Sequence, residues 1–144
     1  MPRASRTIDV KASAKQIFTI LSDYDRYPDF APQVMAVEVQ NVDTHIKHVR
    51  FEIEVFKVPI WYVVEMVEEP FRKVSWSLVS SNWINELSGF WLIESRQPKQ
   101  SSVTYQQELR LKGIISKALS TRLVDFVFPE VLEHFRRRFE ADSI

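Results

Sequence analysis

Chemistry in this 144-residue chain has to come from side chains that titrate, attack or ligate, and such side chains are sparse. The three histidines are His45, His48 and His134. His45 and His48 stand in a stretch that alternates like a strand, so they face opposite ways and cannot converge on one metal ion. His134 falls on the flank of a C-terminal helical stripe, a boundary position. The sequence has no cysteine, which excludes thiolate chemistry, Cys-ligated zinc, iron–sulfur clusters and disulfides together. No G-x-S-x-G elbow offers a serine nucleophile. Asp23, Asp25 and Asp29 form the best group of carboxylates. They crowd around Pro28 and Pro32, where capping and turn roles come first. Gly89 and Gly113 are the only glycines, too few for a phosphate cradle, so the dinucleotide fingerprint and the P-loop are both excluded. Neither a metal nor a cofactor is expected.

Aromatic side chains are what the sequence has in abundance: ten Phe, four Trp and four Tyr. Several fall in one strand register with a few polar partners. Phe51, Ile53, Trp76, Trp91, Tyr105 and Gln107 would all project from the same concave face. Such side chains fill a core in most domains. Tyr105 and Gln107, however, bring polar groups inside, and these must find partners there or bond a ligand or water. An apolar pocket with a few polar points is the general form of a small-molecule site. Tyr27 and Phe30 stand on either side of Pro28, ahead of Pro32, and are placed near the mouth of that pocket. Asn85 is a further polar candidate.

These residues need a frame to hold them. Arg6–Val10 reads as a short strand, and Ser13 as an N-cap for a helix carrying Ile17, Phe18, Ile20 and Leu21. Pro28 and Pro32 restrict the backbone of the residues before them, so a helical turn and then an irregular loop are expected. From Val34 the period switches to two. Strands are read at Val34–Gln40, His48–Val55, Ile60–Val67 after a break at Pro59, Lys73–Leu78, Leu87–Ile93 and Val103–Leu111. The inward face of Ile60–Val67 is left open, since apolar residues occupy both sides. Short connections imply an antiparallel meander. Toward the C-terminus Leu119, Leu123, Val127, Val131, Phe135 and Phe139 recur at i+4, with Ile115, Phe126 and Leu132 beside them. Pro129 predicts a kink or break at Phe128–Pro129, re-aiming the apolar stripe. One long helix against an antiparallel sheet makes a single α+β two-layer domain over residues 1–144.

The 19 basic and 19 acidic side chains cancel, which does not fit a nucleic-acid-binding surface. Two basic groups stand out locally: Arg110, Lys112, Lys117 and Arg122, and the run Arg136 to Arg138. Both read first as solvated surface, with contact to anionic lipid or RNA phosphate as the alternative. The first ten residues carry Arg3, Arg6 and Asp9 and no apolar run, unlike a secretory signal. No window reaches the length of a membrane-spanning helix. A cytoplasmic protein is expected, with peripheral attachment at the inner face of a membrane as a variant of that reading.

The order strand, helix, short helix and loop, six-stranded meander and long C-terminal helix resembles the helix-grip fold of START, Bet v 1 and polyketide-cyclase-like proteins. Within that superfamily the segment Ser22-Asp23 followed by Tyr27, Phe30 and Pro32 is similar to that of the coenzyme Q-binding and ribosome-association toxin group. Leu87-Ser88-Gly89-Phe90-Trp91, the strand from Val103 to Leu109, and the closing Phe139-Glu140 carry the same resemblance. Two positions depart from it: Gln33-Val34 follow Pro32, and Gln107 occupies a strand position that is usually apolar. The resemblance implies a curved sheet of about seven strands around the C-terminal helix. It also implies a cavity between the two for a lipid, polyprenyl quinone or polyketide-like molecule, without metal or cofactor. Leu119, Leu123 and Val127 would then join the strand residues as ligand-binding positions. At about 25 cal/mol per Å2 an isoprenoid tail alone could drive micromolar capture. Two other functions are compatible with the resemblance. One is an aromatase/cyclase-like enzyme using Tyr105; the other is a ribosome-binding protein using Arg110, Lys112, Lys117 and Arg122.

Overall fold

The computed structural model of the chain describes residues 3–55, 57–113, 116–123 and 128–141. Its first strand, β1 (Arg3–Val10), leads into helix α1 (Ala14–Leu21). Ser13 starts that helix as a true N-cap: its hydroxyl accepts from the backbone N–H of Gln16 at 3.1 Å. Ile17, Phe18, Ile20 and Leu21 form the buried stripe. After α1 comes the expected helical turn, a 3-10 turn at Tyr24–Arg26, and then, in place of the expected irregular loop, a one-turn helix α2, Tyr27–Phe30. Pro28 lies in the first turn of α2, where its missing N–H would have had no helical partner. A proline read as a breaker therefore begins a helix here.

Six strands follow: β2 (Val34–Asn41), β3 (Ile46–Val55), β4 (Val58–Glu69), β5 (Lys73–Ser81), β6 (Ile84–Gln97) and β7 (Gln100–Leu111). They form one antiparallel sheet with β1, in the order β1-β7-β6-β5-β4-β3-β2. The meander is thus continuous, and β1 adds to its far edge against β7. The strands run longer than the alternation alone marks. Pro59 lies inside β4, not before it, and pairs with Glu54 one step from the β3–β4 hairpin end. A residue without an N–H fits such an end better than the middle of a ladder.

After β7, Gly113 takes a left-handed backbone conformation, φ +90°, as the chain leaves the sheet. Helix α3 spans Ser116–Arg122 and helix α4 spans Phe128–Ala141. The expected break at Phe128–Pro129 coincides with the start of α4, Pro129 falling in its first turn. Residues 124–127, with Phe126 and Val127, lie outside the described residues, as does Ile115. Leu132, Phe135 and Phe139 are the buried stripe of α4. This helix is tied to the start of the chain by two hydrogen bonds. Lys11 N–H donates to Glu140 at 2.9 Å, and Gln16 Nε2 donates to the Phe139 carbonyl at 3.1 Å. The result is the helix-grip architecture, with the concave face of the sheet covered by α4 and α2. No described helix is long and apolar enough to cross a membrane.

Candidate functional site

Alternation along each strand decides which side chains meet under α4. The inward residues are odd-numbered in β3, β6 and β7 and even-numbered in β4 and β5, as the burial of Phe51, Trp91, Tyr105, Val64 and Val74 shows. Cross-strand pairing sets them in rows: Phe51 opposite Tyr62, Trp76 opposite Gly89, Gly89 opposite Gln107, and Trp91 opposite Tyr105. Between these rows and the helices lies a cavity of about 120 Å3. The sheet contributes Phe51, Ile53, Tyr62, Val64, Met66, Trp76, Trp91, Tyr105 and Gln107 to its wall. Tyr27, Gln33, Val34, Leu123, Val131 and Phe135 close it from the helical side.

Seven aromatic rings form a continuous chain along that wall. Going from Tyr62 the centroid separations are 5.3 Å to Phe51, 5.8 Å on to Tyr27, 5.1 Å to Phe135 and 5.0 Å to Trp91. Tyr105 lies 4.6 Å beyond Trp91, and Trp76 is 6.0 Å from Tyr105. Tilted, stacked and edge-on contacts of this kind hold each ring between the two ends against two neighbours. The wall is therefore stiff even though it encloses empty space.

One row carries the polar part of the site. Gly89 sits between Trp76 and Gln107 on adjacent strands, and a Cβ there would fall 2.7 Å from the Trp76 ring and 2.2 Å from the Gln106 carbonyl oxygen. The missing side chain lets the Trp76 indole lie across β6, so that Nε1 donates to Gln107 Oε1 at 2.6 Å. Gln107 Nε2 in turn donates to the Tyr105 hydroxyl at 3.1 Å. Burial pushes the Tyr105 and Tyr62 phenols well above their ordinary pKa, and the proximity of Tyr62 adds to the shift at Tyr105. Both are neutral at physiological pH. The Tyr27 hydroxyl is raised by burial too, and is already committed, donating to the Leu21 carbonyl. No charged side chain is among the described residues lining the cavity.

All six strand residues picked out by sequence meet at this cavity, as do Tyr27 and Leu123. Phe30 does not line it but packs behind it, 5.0 Å from the Phe135 ring. Leu119 is half-buried against the core outside the lining, and Val127 is not among the described residues. Asn85 is exposed at a register shift between Ile84 and Glu86 and does not line the cavity. Sequence reasoning misses Tyr62, Val64 and Met66 because apolar residues occupy both faces of β4; pairing Phe51 with Tyr62 would resolve its inward side. Gln33 comes after α2 with no periodicity to mark it. Elsewhere, Glu68 is buried on β4, where it accepts from the Tyr24 hydroxyl and from Lys47 Nζ, each at 2.6 Å. His48 faces outward against Glu65 at 3.2 Å.

Residues 10–140 match the sequence profile of the family described as polyketide cyclase / dehydrase and lipid transport. The chain belongs to that family. Solved structures share the fold. A START superfamily protein from Mycobacterium smegmatis superposes with a TM-score of 0.83 at 15% identity, over 95% of this chain and 96% of the other. The Zhui aromatase/cyclase from a Streptomyces species gives 0.78 at 15% identity, over 99% and 98%. A protein from Thermus thermophilus gives 0.83 at 14% identity, over 99% and 100%. No curated protein matches the chain in sequence. At such identities the likeness to these structures extends to the fold, and function has to be argued from the cavity.

Proposed function

We propose that this protein binds and carries a hydrophobic small molecule in the cavity between the sheet and α4. The observation that supports this is the apolar cavity of about 120 Å3 beside a wall of interlocked aromatics. Close-packed cores do not keep voids of that size without a reason, because each lining atom forfeits dispersion contacts. An apolar cavity of about 150 Å3 in another protein holds one benzene molecule. The present space therefore suits a single ring or a short branched chain. A polyprenyl tail would have to extend beyond it, so enclosure of a whole isoprenoid chain is not part of this reading. Binding is favoured over acid–base catalysis because, among the described residues, the polar groups of the lining are tyrosine, glutamine and an indole, with no carboxylate, histidine or lysine. Ribosome contact through the basic group gains no support: Arg110 pairs with Glu86 at 2.7 Å and Lys112 donates to the Ser81 carbonyl.

Solvent extraction of the purified protein, with mass spectrometry of the extract, tests this function. A hydrophobic molecule present in proportion to protein is expected. Its absence, together with no uptake of ring-sized hydrocarbons added to the solution, would remove the proposal.

A further inference from the structure

The three groups Trp76, Gln107 and Tyr105 form a hydrogen-bond chain whose direction is fixed from one end. An indole N–H only donates, so the 2.6 Å contact with Trp76 Nε1 holds the Gln107 oxygen on the Trp76 side. The Gln107 amide nitrogen is thereby turned to Tyr105, and the Tyr105 oxygen accepts from it at 3.1 Å. This removes the usual ambiguity about which way an amide points. Having accepted that bond, Tyr105 keeps its own proton to donate, and among the described residues nothing accepts it. Tyr105 is 5% exposed and lines the cavity, so water outside the protein is no substitute partner. Tyr62 lines the same cavity and has no hydrogen-bond partner among the described residues either. Two phenolic donors, and the buried Gln33 Oε1 as an acceptor without a partner, thus border a space with no charged side chain in its described lining.

We infer that the molecule held here is an uncharged ring bearing an oxygen that accepts from the Tyr105 hydroxyl, with Trp76 and Gln107 as positioning residues that keep Tyr105 a donor. This rests on the cavity-binding function proposed above and names the chemical class that the cavity selects. Carboxylates and phosphates are disfavoured because burying a charge without a counter-charge costs far more than one phenol can return. A pure hydrocarbon is admitted but leaves the Tyr105 donor unpaired.

Three probes of similar size separate these classes: cyclohexanone, methylenecyclohexane, which has the same shape without an acceptor, and cyclohexanecarboxylate at pH 7. Titration calorimetry or ligand-observed NMR on the full chain should show cyclohexanone bound about tenfold tighter than methylenecyclohexane, the worth of one hydrogen bond. The carboxylate should bind more weakly than either. Tyr105→Phe keeps the shape of the side chain and should abolish the preference, cyclohexanone falling to the affinity of methylenecyclohexane for the same variant. Gln107→Glu is the second variant. Its carboxylate accepts from both neighbours, so Tyr105 turns its proton away from the cavity and the ketone preference is lost again. Retained hydrocarbon binding in either variant shows that the cavity is still formed. Equal affinity of the wild type for ketone and hydrocarbon would overturn the inference and leave the cavity function standing. Binding of neither would overturn both, and preference for the carboxylate would overturn the uncharged class.

Discussion

Gly89 shows how much one absent side chain can arrange. The row Trp76–Gly89–Gln107 spans three strands, and the indole reaches its partner only by lying over the glycine. Alanine at 89 would meet both a backbone carbonyl and the indole at less than contact distance. Gly89→Ala should therefore destabilise the fold by about 1–3 kcal/mol, the range for overpacked sites. It should also displace Trp76, which urea unfolding and near-ultraviolet circular dichroism would report together. A fully folded variant with an unchanged aromatic spectrum would show that the row tolerates a methyl group. Strand alternation in the sequence places Trp76, Tyr105 and Gln107 on one face. It does not couple them, because the coupling depends on a strand between them having no side chain. Gly89 is visible in the sequence as a letter, and its role emerges only from pairing.

At the level of elements, strict alternation is readable wherever one face meets water. Strand β3 is the clear case, with Val49 and Phe51 buried and His48, Arg50 and Glu52 turned outward or toward the solvent edge. Strand β4 is not readable in this way, since Trp61, Val63 and Val67 are half-buried on its other side. The segment from Tyr24 to Phe30 defeats sequence reading for a different reason: proline disfavours the interior of a helix but suits its first turn. The cap of α1 is legible and its worth is measurable. Ser13→Ala removes the acceptor for the Gln16 N–H and should cost about 1 kcal/mol in chemical unfolding. The loss should grow no larger with salt, because the bond involves no charge. Helix α1 also holds α4 through Gln16 Nε2. A fraying α1 should thus loosen the cavity roof, seen as faster amide exchange in α4.

For the whole molecule, burying phenols sets the response to alkali. Tyr24, Tyr27, Tyr62 and Tyr105 all have pKa values raised above 10.0, chiefly by burial. In the unfolded chain they lose protons near pH 10, whereas in the folded chain they keep them. Their contribution to stability is therefore complete below pH 10 and falls as pH rises above it, by about 1.4 kcal/mol per pH unit for each tyrosine. Unfolding midpoints should stay level as the phenols are approached from neutral pH and then drop steeply beyond pH 10. Phenolate absorbance should appear together with unfolding and not before it. Early, gradual phenolate absorbance would mean that these rings are open to solvent. Part of the aromatic excess in the composition has the same place: seven of the eighteen rings form the wall of the space under α4, with Phe30 and Phe139 packed behind it.

The claim that this space holds a ligand is met most directly by native mass spectrometry of freshly purified protein beside the variant Val64→Phe. Val64 lines the cavity and is 1% exposed, so a phenyl group there would fill it. The wild type should carry a hydrophobic adduct that Val64→Phe lacks, with both proteins folded. An adduct that persists when the cavity is filled would contradict the account.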